Sequence, residues 1–451
     1  SAQKRGKKGV VMKFRKVNAK MWLATLGLLV VVLDGTQPAR ADVVQRIAGD
    51  AGGGQQVQLE AALGSGVLMA GRTERAYLKV GLTGFKLIED RARPEVNLAI
   101  VLDRSGSMQG EKMRRAKDAA LMAIDRLSPE DIVSVIAYNH NVEVLVPATK
   151  VHDRRDIKRR IMSLGASGNT ALFAGVAKGA YEVRKFLSPS RVNRVLLVSD
   201  GLANEGPSTP GELGDLGHSL LKGGISVTTI GLGHGYNEDL MFELARRSDG
   251  NHAFAEGASD LARIFSHELG DVLSVVAREV NVRIKCSSGI RPIRVLGRDA
   301  DISGNTIVAR LNQLYAEQEK YLLVEVEIPA SPRGSIRKVA SVDVYYLNAM
   351  SQNKDRLTGD ISVKFSDSMA DVTSSRNEAV MVSTLDLVAA EQNKRAVILR
   401  DQGKTEAAKN VLMDNAAMLD KAAAEYKSPK LKRRARANRG DADNLAPAKW
   451  N

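Results

Sequence analysis

Apolar and polar positions alternate differently along three parts of this chain. Over residues 57–87, short runs such as VQLEAAL and AYLKVGLTG are broken by glycine, which predicts strands with one buried face. At residues 96–102 the alternation stops: VNLAIVL is apolar almost throughout, the pattern of a strand covered on both sides. GEKMRRAKDAALMAIDRL follows with Met113, Ala116, Ala120, Ile124 and Leu127 at helical spacing. The same alternation then repeats. IVSVIAY, NRVLLVSDG, ISVTTIGLG and HAFAE read as strands; HDRRDIKRRIMSL, TALFAGVAKGAYEVRKFL, PGELGDLGHSLLKGG, NEDLMFELARRS and ASDLARIFSHELGDVLSV read as helices. Strands alternating with helices predict an α/β unit with a doubly wound, mostly parallel sheet over residues 95–275.

Alternating strand patterns return over 276–368 (EVNVRIKC, TIVARL, KYLLVEVEIP, RKVASVDVYYL, DISVKF), with Gly, Pro and Asn/Asp turns between them. With the strands of 42–94 they predict a β-sandwich in which the α/β unit is embedded. Residues 376–426 are rich in alanine and charge at helical period and break at DQGK, which predicts a helical hairpin. Residues 427–451 carry eight Lys/Arg and two acids and read as a basic, disordered tail.

Charge changes the picture only once it is located. The chain has a net charge of +14, but residues 1–41 hold nine Lys/Arg against one acid. Those residues and the tail account for the whole excess, so the chain between them is neutral. Nucleic-acid binding by the core is disfavoured, and the tail is left as an element for anionic envelope components. Residues 12–41 run from basic (MKFRKVNAK) through apolar (MWLATLGLLVVVL) to small residues (ARA), the order of a secretory signal. The expectation is a periplasmic, secreted or cell-surface protein cleaved after Ala41, the alternative being anchorage by an uncleaved signal. The lone Cys286 sits in an alternating strand and is expected to pack as a small hydrophobe.

Ligands of open α/β sheets bind beyond the carboxyl ends of the strands. Asp103 ends the strand LAIVLD, Ser105 and Ser107 follow at spacing two, Thr170 closes the loop GASGNT, and Asp200 lies in SDG after another buried strand. All five are hard oxygen donors, suited to Mg²⁺ or Mn²⁺ and poorly suited to zinc or copper. Neutral hydroxyls beside the ion would keep it electrophilic toward an incoming carboxylate. Capping and turn chemistry is the competing reading of the same residues. His234 and Glu238, after a further strand, are candidates for the rim of the site.

DRSGS, the threonine of GNT and the aspartate of SDG resemble the metal-ion-dependent adhesion site of von Willebrand factor type A domains, over about residues 95–275. The resemblance implies that Ser105, Ser107 and Thr170 touch the ion, while Asp103 and Asp200 act largely through water or hydrogen bonds. A partner's Asp or Glu would take the sixth position. The wider layout is similar to exported bacterial proteins related to inter-alpha-trypsin inhibitor heavy chains and calcium-activated chloride channel homologues. These features predict a non-enzymatic adhesion or scaffolding protein. The alternatives are a metal-dependent hydrolase, for which no general base stands out, and an accessory subunit of an ATPase complex.

Overall fold

The computed structural model describes residues 45–47, 56–86, 93–201, 203–233, 236–257 and 260–445. The signal-like segment and His234 lie outside these residues. Among the described residues, no helix is long and apolar enough to cross a membrane.

Four strands come first: β1 (Gln45–Ile47), β2 (Val57–Leu63), β3 (Val67–Met69) and β4 (Glu74–Gly84). The α/β unit then runs β5 (Glu95–Asp103), α1 (Glu111–Arg126), β6 (Ile132–Tyr138), β7 (Val142–Lys150), α2 (Arg154–Met162), α3 (Leu172–Arg184) and β8 (Arg191–Ser199). It ends with α4 (Pro210–Lys222), β9 (Ser226–Leu232), α5 (Glu238–Arg247), β10 (His252–Ala255) and α6 (Asp260–Leu273). Its sheet has the order β10-β9-β8-β5-β6-β7, parallel except for β7.

The unbroken apolar run of β5 follows from its central place. Leu98, Ile100 and Leu102 pack with Ala116, Ala120 and Ile124 of α1 and Phe265 of α6. Ala99 and Val101 face the other way, onto Val176 and Ala180 of α3 and Leu244 of α5. Gly179 lets α3 approach closely, since a Cβ there would stand 2.6 Å from Val101 Cγ2. Strand β7 escapes the apolar pattern because it is an antiparallel edge, only one of its nine residues buried, with Pro147 where its register against β6 shifts.

After α6 the chain returns to strands: β11 (Val275–Cys286), β12 (Arg291–Leu296), β13 (Asp301–Ser303), β14 (Thr306–Tyr315), β15 (Glu319–Ile328), β16 (Ile336–Asn348) and β17 (Lys354–Ser366). Two sheets result, β1-β2-β4-β15-β12 and β13-β14-β11-β16-β17-β3. Strands from both sides of the α/β unit therefore share each sheet. Leu59, Leu78, Val80 and Val324 of the first meet Val282, Ile284, Val342 and Phe365 of the second in one core. Cys286 belongs to that core, and burial pushes its thiol pKa up to about 11.

A buried polar network joins the α/β unit to the sandwich. Asp249, after α5, accepts from Lys320 Nζ and Arg298 Nη1, each at 2.8 Å, and from the Asn312 amide at 2.8 Å. Arg194 of β8, fully buried, donates to Thr228 Oγ1 at 2.6 Å and Gln313 Oε1 at 2.5 Å.

Between β9 and the outer strand β10, Thr229 Oγ1 of β9 donates to the Met241 carbonyl at 3.0 Å and lies 2.8 Å from Nδ1 of His252 on β10. The imidazole must then donate from Nδ1, leaving Nε2 to accept from the Tyr236 hydroxyl at 3.2 Å. Burial lowers the His252 pKa from 6.5 to about 4. Its folded-state value lies below the unfolded one, so the stabilisation is complete above pH 6.5 and is lost as pH falls toward 4. His252→Gln is expected to remove roughly 2–3 kcal/mol of the acid destabilisation over that window, read from Tm against pH for both proteins.

Beyond the sandwich come α7 (Met369–Ser374), α8 (Glu378–Asp401), α9 (Thr405–Glu425) and α10 (Pro429–Asn444). Residues from 389 onward form a separate compact unit. The expected hairpin has a third helix, and the expected disordered tail is that helix. Ser428 caps it, Pro429 opens it, and Leu431, Ala435, Asn438 and Ala442 form its buried stripe. Small residues make this stripe inconspicuous among the surrounding Lys and Arg. Ala396, Ala408, Leu412, Ala442 and Leu445 form the core of the unit, and Asn393 links Asn415 and Asn438 at 2.7 and 2.9 Å. Residues 446–451 lie outside the described residues.

Candidate metal centre

Strand β5 lies between β8 and β6, where successive connections begin to run in opposite directions along the sheet. A crevice opens beyond the carboxyl ends at such a point. Asp103 ends β5 there, and Asp200 directly follows β8. A short 3₁₀ turn over Gly106–Met108 carries Ser107, and the Gly106 amide donates to the Gly168 carbonyl at 2.9 Å. That bond ties the first loop to the second.

All five predicted side chains meet. Asp103 Oδ1 accepts from the Ser105 amide at 2.7 Å, and Oδ2 accepts from Ser199 Oγ at 2.5 Å. The hydroxyls of Ser105 and Ser107 are 3.1 Å apart, and Ser107 donates to Asp200 Oδ1 at 2.8 Å. Thr170 is buried, and its hydroxyl has no hydrogen-bond partner among the described residues. A Cβ built on Gly201 would stand 2.9 Å from Thr170 Oγ1 and 3.5 Å from Asp103 Oδ2. Glycine at that position keeps the space between these two oxygens clear.

The electrostatics call for a cation. Burial raises the pKa of Asp103, hydrogen bonds from Ser199 and Ser105 oppose the shift, and the Asp200 charge adds to it. Asp200 pairs with the Lys112 ammonium, which reaches over from the first turn of α1. Two carboxylates thus face one ammonium in a buried site. The donors are oxygens only, one hydroxyl is unengaged, and Gly201 leaves room, so the residues present fit a hard divalent ion.

Several contributors escaped the sequence reading. Ser199 stood in SDG beside Asp200 without a role of its own, and Lys112 is nine positions past Asp103 within a helical pattern. Asn204 accepts from the Thr170 amide at 2.8 Å, and Asn139 donates to the Ser167 carbonyl at 2.7 Å, fixing the threonine loop. Only a folded sheet brings these two asparagines to one loop. Glu238, the rim candidate, opens α5, half-buried, with its pKa raised by burial and then by Asp239. A second acidic group, His267, Glu268 and Asp271 on α6, has ligand atoms within 4.8 Å of one another. Its carboxylates are already engaged by Asn251 at 2.9 and 3.2 Å and by Gln318 at 2.8 Å.

Residues 97–267 match the family model of the von Willebrand factor type A domain. The chain carries a von Willebrand factor type A domain. The A domain is a protein-interaction module. The chain is similar to the uncharacterized protein sll0103 of Synechocystis sp., 27% identical over 264 residues, which cover 56% of this chain and 62% of that one. Inter-alpha-trypsin inhibitor heavy chain H2 of Homo sapiens is 30% identical over 169 residues, 36% of this chain and 17% of its own length. The chain therefore spans less than two-thirds of either relative. Among solved structures, the von Willebrand factor type A protein from Catenulispora acidiphila superposes with a TM-score of 0.68 at 18% identity, covering 84% of this chain and 89% of that one. Coverage that wide takes in more than the A domain, so the likeness of fold reaches into the sandwich.

Proposed function

We propose that the A domain holds Mg²⁺ (or Mn²⁺) among Asp103, Ser105, Ser107, Thr170 and Asp200, and through it binds an Asp or Glu of a protein partner. The convergence of these five side chains at one sheet edge carries the reading. Ser105, Ser107 and Thr170 would supply neutral oxygens to the ion. Asp103 and Asp200 would balance its charge from positions fixed by Ser199 and Ser107. The bound ion would supply an electrophilic position for the partner's carboxylate. The role is adhesion or scaffolding without catalysis, outside the cytosol, in keeping with the signal-like order of residues 12–41. Basic residues of α10 would make any contact with anionic envelope components.

Thr170→Ala separates binding from folding, because the hydroxyl it removes has no hydrogen-bond partner among the described residues. It is expected to leave the metal-free Tm within about 2 °C of wild type and to weaken Mn²⁺ binding roughly tenfold, as one ligand is lost. Mn²⁺ titration followed by electron paramagnetic resonance reads the second effect. Capture of partners from native envelope in Mg²⁺ should fail in EDTA and with Thr170→Ala. Capture that survives both sinks the proposal.

A further inference from the structure

A cleft of about 600 Å³ opens between the A domain and the sandwich, at the end of the parallel sheet opposite the metal cluster. Arg191, the first residue of β8, lies on its wall, and Ser199 at the other end of β8 touches Asp103. The separation is roughly 25 Å along the strand. The walls come from the loop before β8, the turn between α4 and β9, and strands β11 and β14.

The charge on those walls has one sign. Arg191, Lys222, Arg278 and Arg310 line the cleft against a single acid, Glu279. Arg191 is paired with Glu95 at 2.9 Å. Among the described residues Lys222, Arg278 and Arg310 form no close ion pair, and the neighbouring Glu279 acts on Arg278 only by its charge. Arg278 is the decisive one. It is 2% exposed, its Nη2 donates to Gln352 Oε1 at 2.9 Å, and its Nε and Nη1 have no acceptor among the described residues. Buried guanidinium groups are ordinarily met by carboxylates or saturated with hydrogen bonds, because an uncompensated charge in a low-dielectric wall is expensive. Left unmatched, this charge projects a positive potential into the adjoining cleft.

The backbone reinforces the arrangement. Strand β11 shifts register against β16 between Arg278 and Asn281, and Glu279 sits inside that bulge at φ +50°. Bulges re-aim side chains, and a positive φ at a residue other than glycine is retained only where its surroundings impose it. Here the bulge leaves Glu279 exposed and Arg278 buried at the wall. Asn193, Asn281, Asn312 and Gln313 add amide groups to the lining. The volume falls within the range of small-molecule sites.

We infer that this cleft binds a small, multiply charged oxyanion, a phosphate ester or polycarboxylate, whose charge compensates Arg278 and engages Arg310 and Lys222. The site is independent of the metal cluster and of the partner it would hold.

Isothermal titration of the full-length, metal-free chain in 150 mM NaCl tests the inference, with pyrophosphate and citrate as probes. The expected result is one-to-one binding of at least one probe with Kd below about 1 mM, weakened at least tenfold in both Arg278→Met and Arg310→Gln and unchanged in Asp103→Asn. Preference for pyrophosphate assigns the phosphate chemistry, and preference for citrate the carboxylate chemistry. Arg310 is exposed, so Arg310→Gln decides the question even where Arg278→Met fails to fold. Absence of binding by either probe up to 10 mM overturns the inference. Binding that Arg310→Gln leaves at wild-type strength also overturns it, because the anion then sits on other basic surface.

Discussion

Asp103→Asn is expected to raise the Tm of the metal-free protein while abolishing its response to Mg²⁺. The two effects have opposite signs because one charge produces both. Asp103 is fully buried, and its nearest compensation is hydrogen bonding from Ser199 and Ser105, with Asp200 adding like charge. Without an ion, neutralising it relieves a desolvation penalty of about 1 kcal/mol or more. With an ion, the same carboxylate is half of the charge balance. At a Mg²⁺ concentration about 100 times Kd, wild type should gain roughly 2.7 kcal/mol from binding, and the variant essentially nothing. Differential scanning calorimetry of both proteins, with and without Mg²⁺, reads each effect. A variant that melts lower without metal, or still responds to it, would show that Asp103 has a purely structural place.

Lys112→Met should act in reverse. The ammonium neutralises Asp200, whose side chain is fully buried, while the lysine is itself 38% exposed. Removing it strips Asp200 of its cation, and partial exposure of the pair limits the loss in the metal-free protein to about 1–2 kcal/mol. For an arriving divalent ion, however, the ammonium is a competitor and a like charge at close range. Mn²⁺ affinity is therefore expected to rise roughly tenfold in Lys112→Met and to stay near wild type in Lys112→Arg, measured by the same resonance titration. Lower affinity in Lys112→Met would mean that the lysine organises the site instead of filling in for the ion.

The doubly wound unit was legible because burial on two faces writes itself into β5 as an unbroken apolar run, and because helices of ordinary length separate the strands. The convergence of the five oxygen-bearing side chains was legible for a related reason. Its five residues sit at strand ends, where a single sequence shows where each loop must emerge. Lys112, Asn139 and Asn204 carry no such mark, since a lysine in a helix and asparagines in turns are common everywhere. Their roles come from which loops the sheet brings together. Strand β7 was lost to its exposure and to Pro147. Helix α10 was lost because its buried stripe uses alanine and asparagine, so the cationic residues around it dominated the pattern. Glu238 was read as a rim candidate from its position after β9, and it opens helix α5 half-buried.

The insertion of the A domain between β4 and β11 has a consequence for the order in which the chain can fold. Arg75 of β4 bonds to Glu325 of β15, 250 positions downstream, so the first sheet cannot close until most of the chain exists. Contacts that distant form slowly, because the entropy of a long loop must be lost before any of them is made. The A domain needs only local segments, and its folding brings residue 95 and α6 into one body. The long loop is thereby shortened in effect before β4 meets β15. The interaction module would then serve as the nucleus on which its own scaffold assembles.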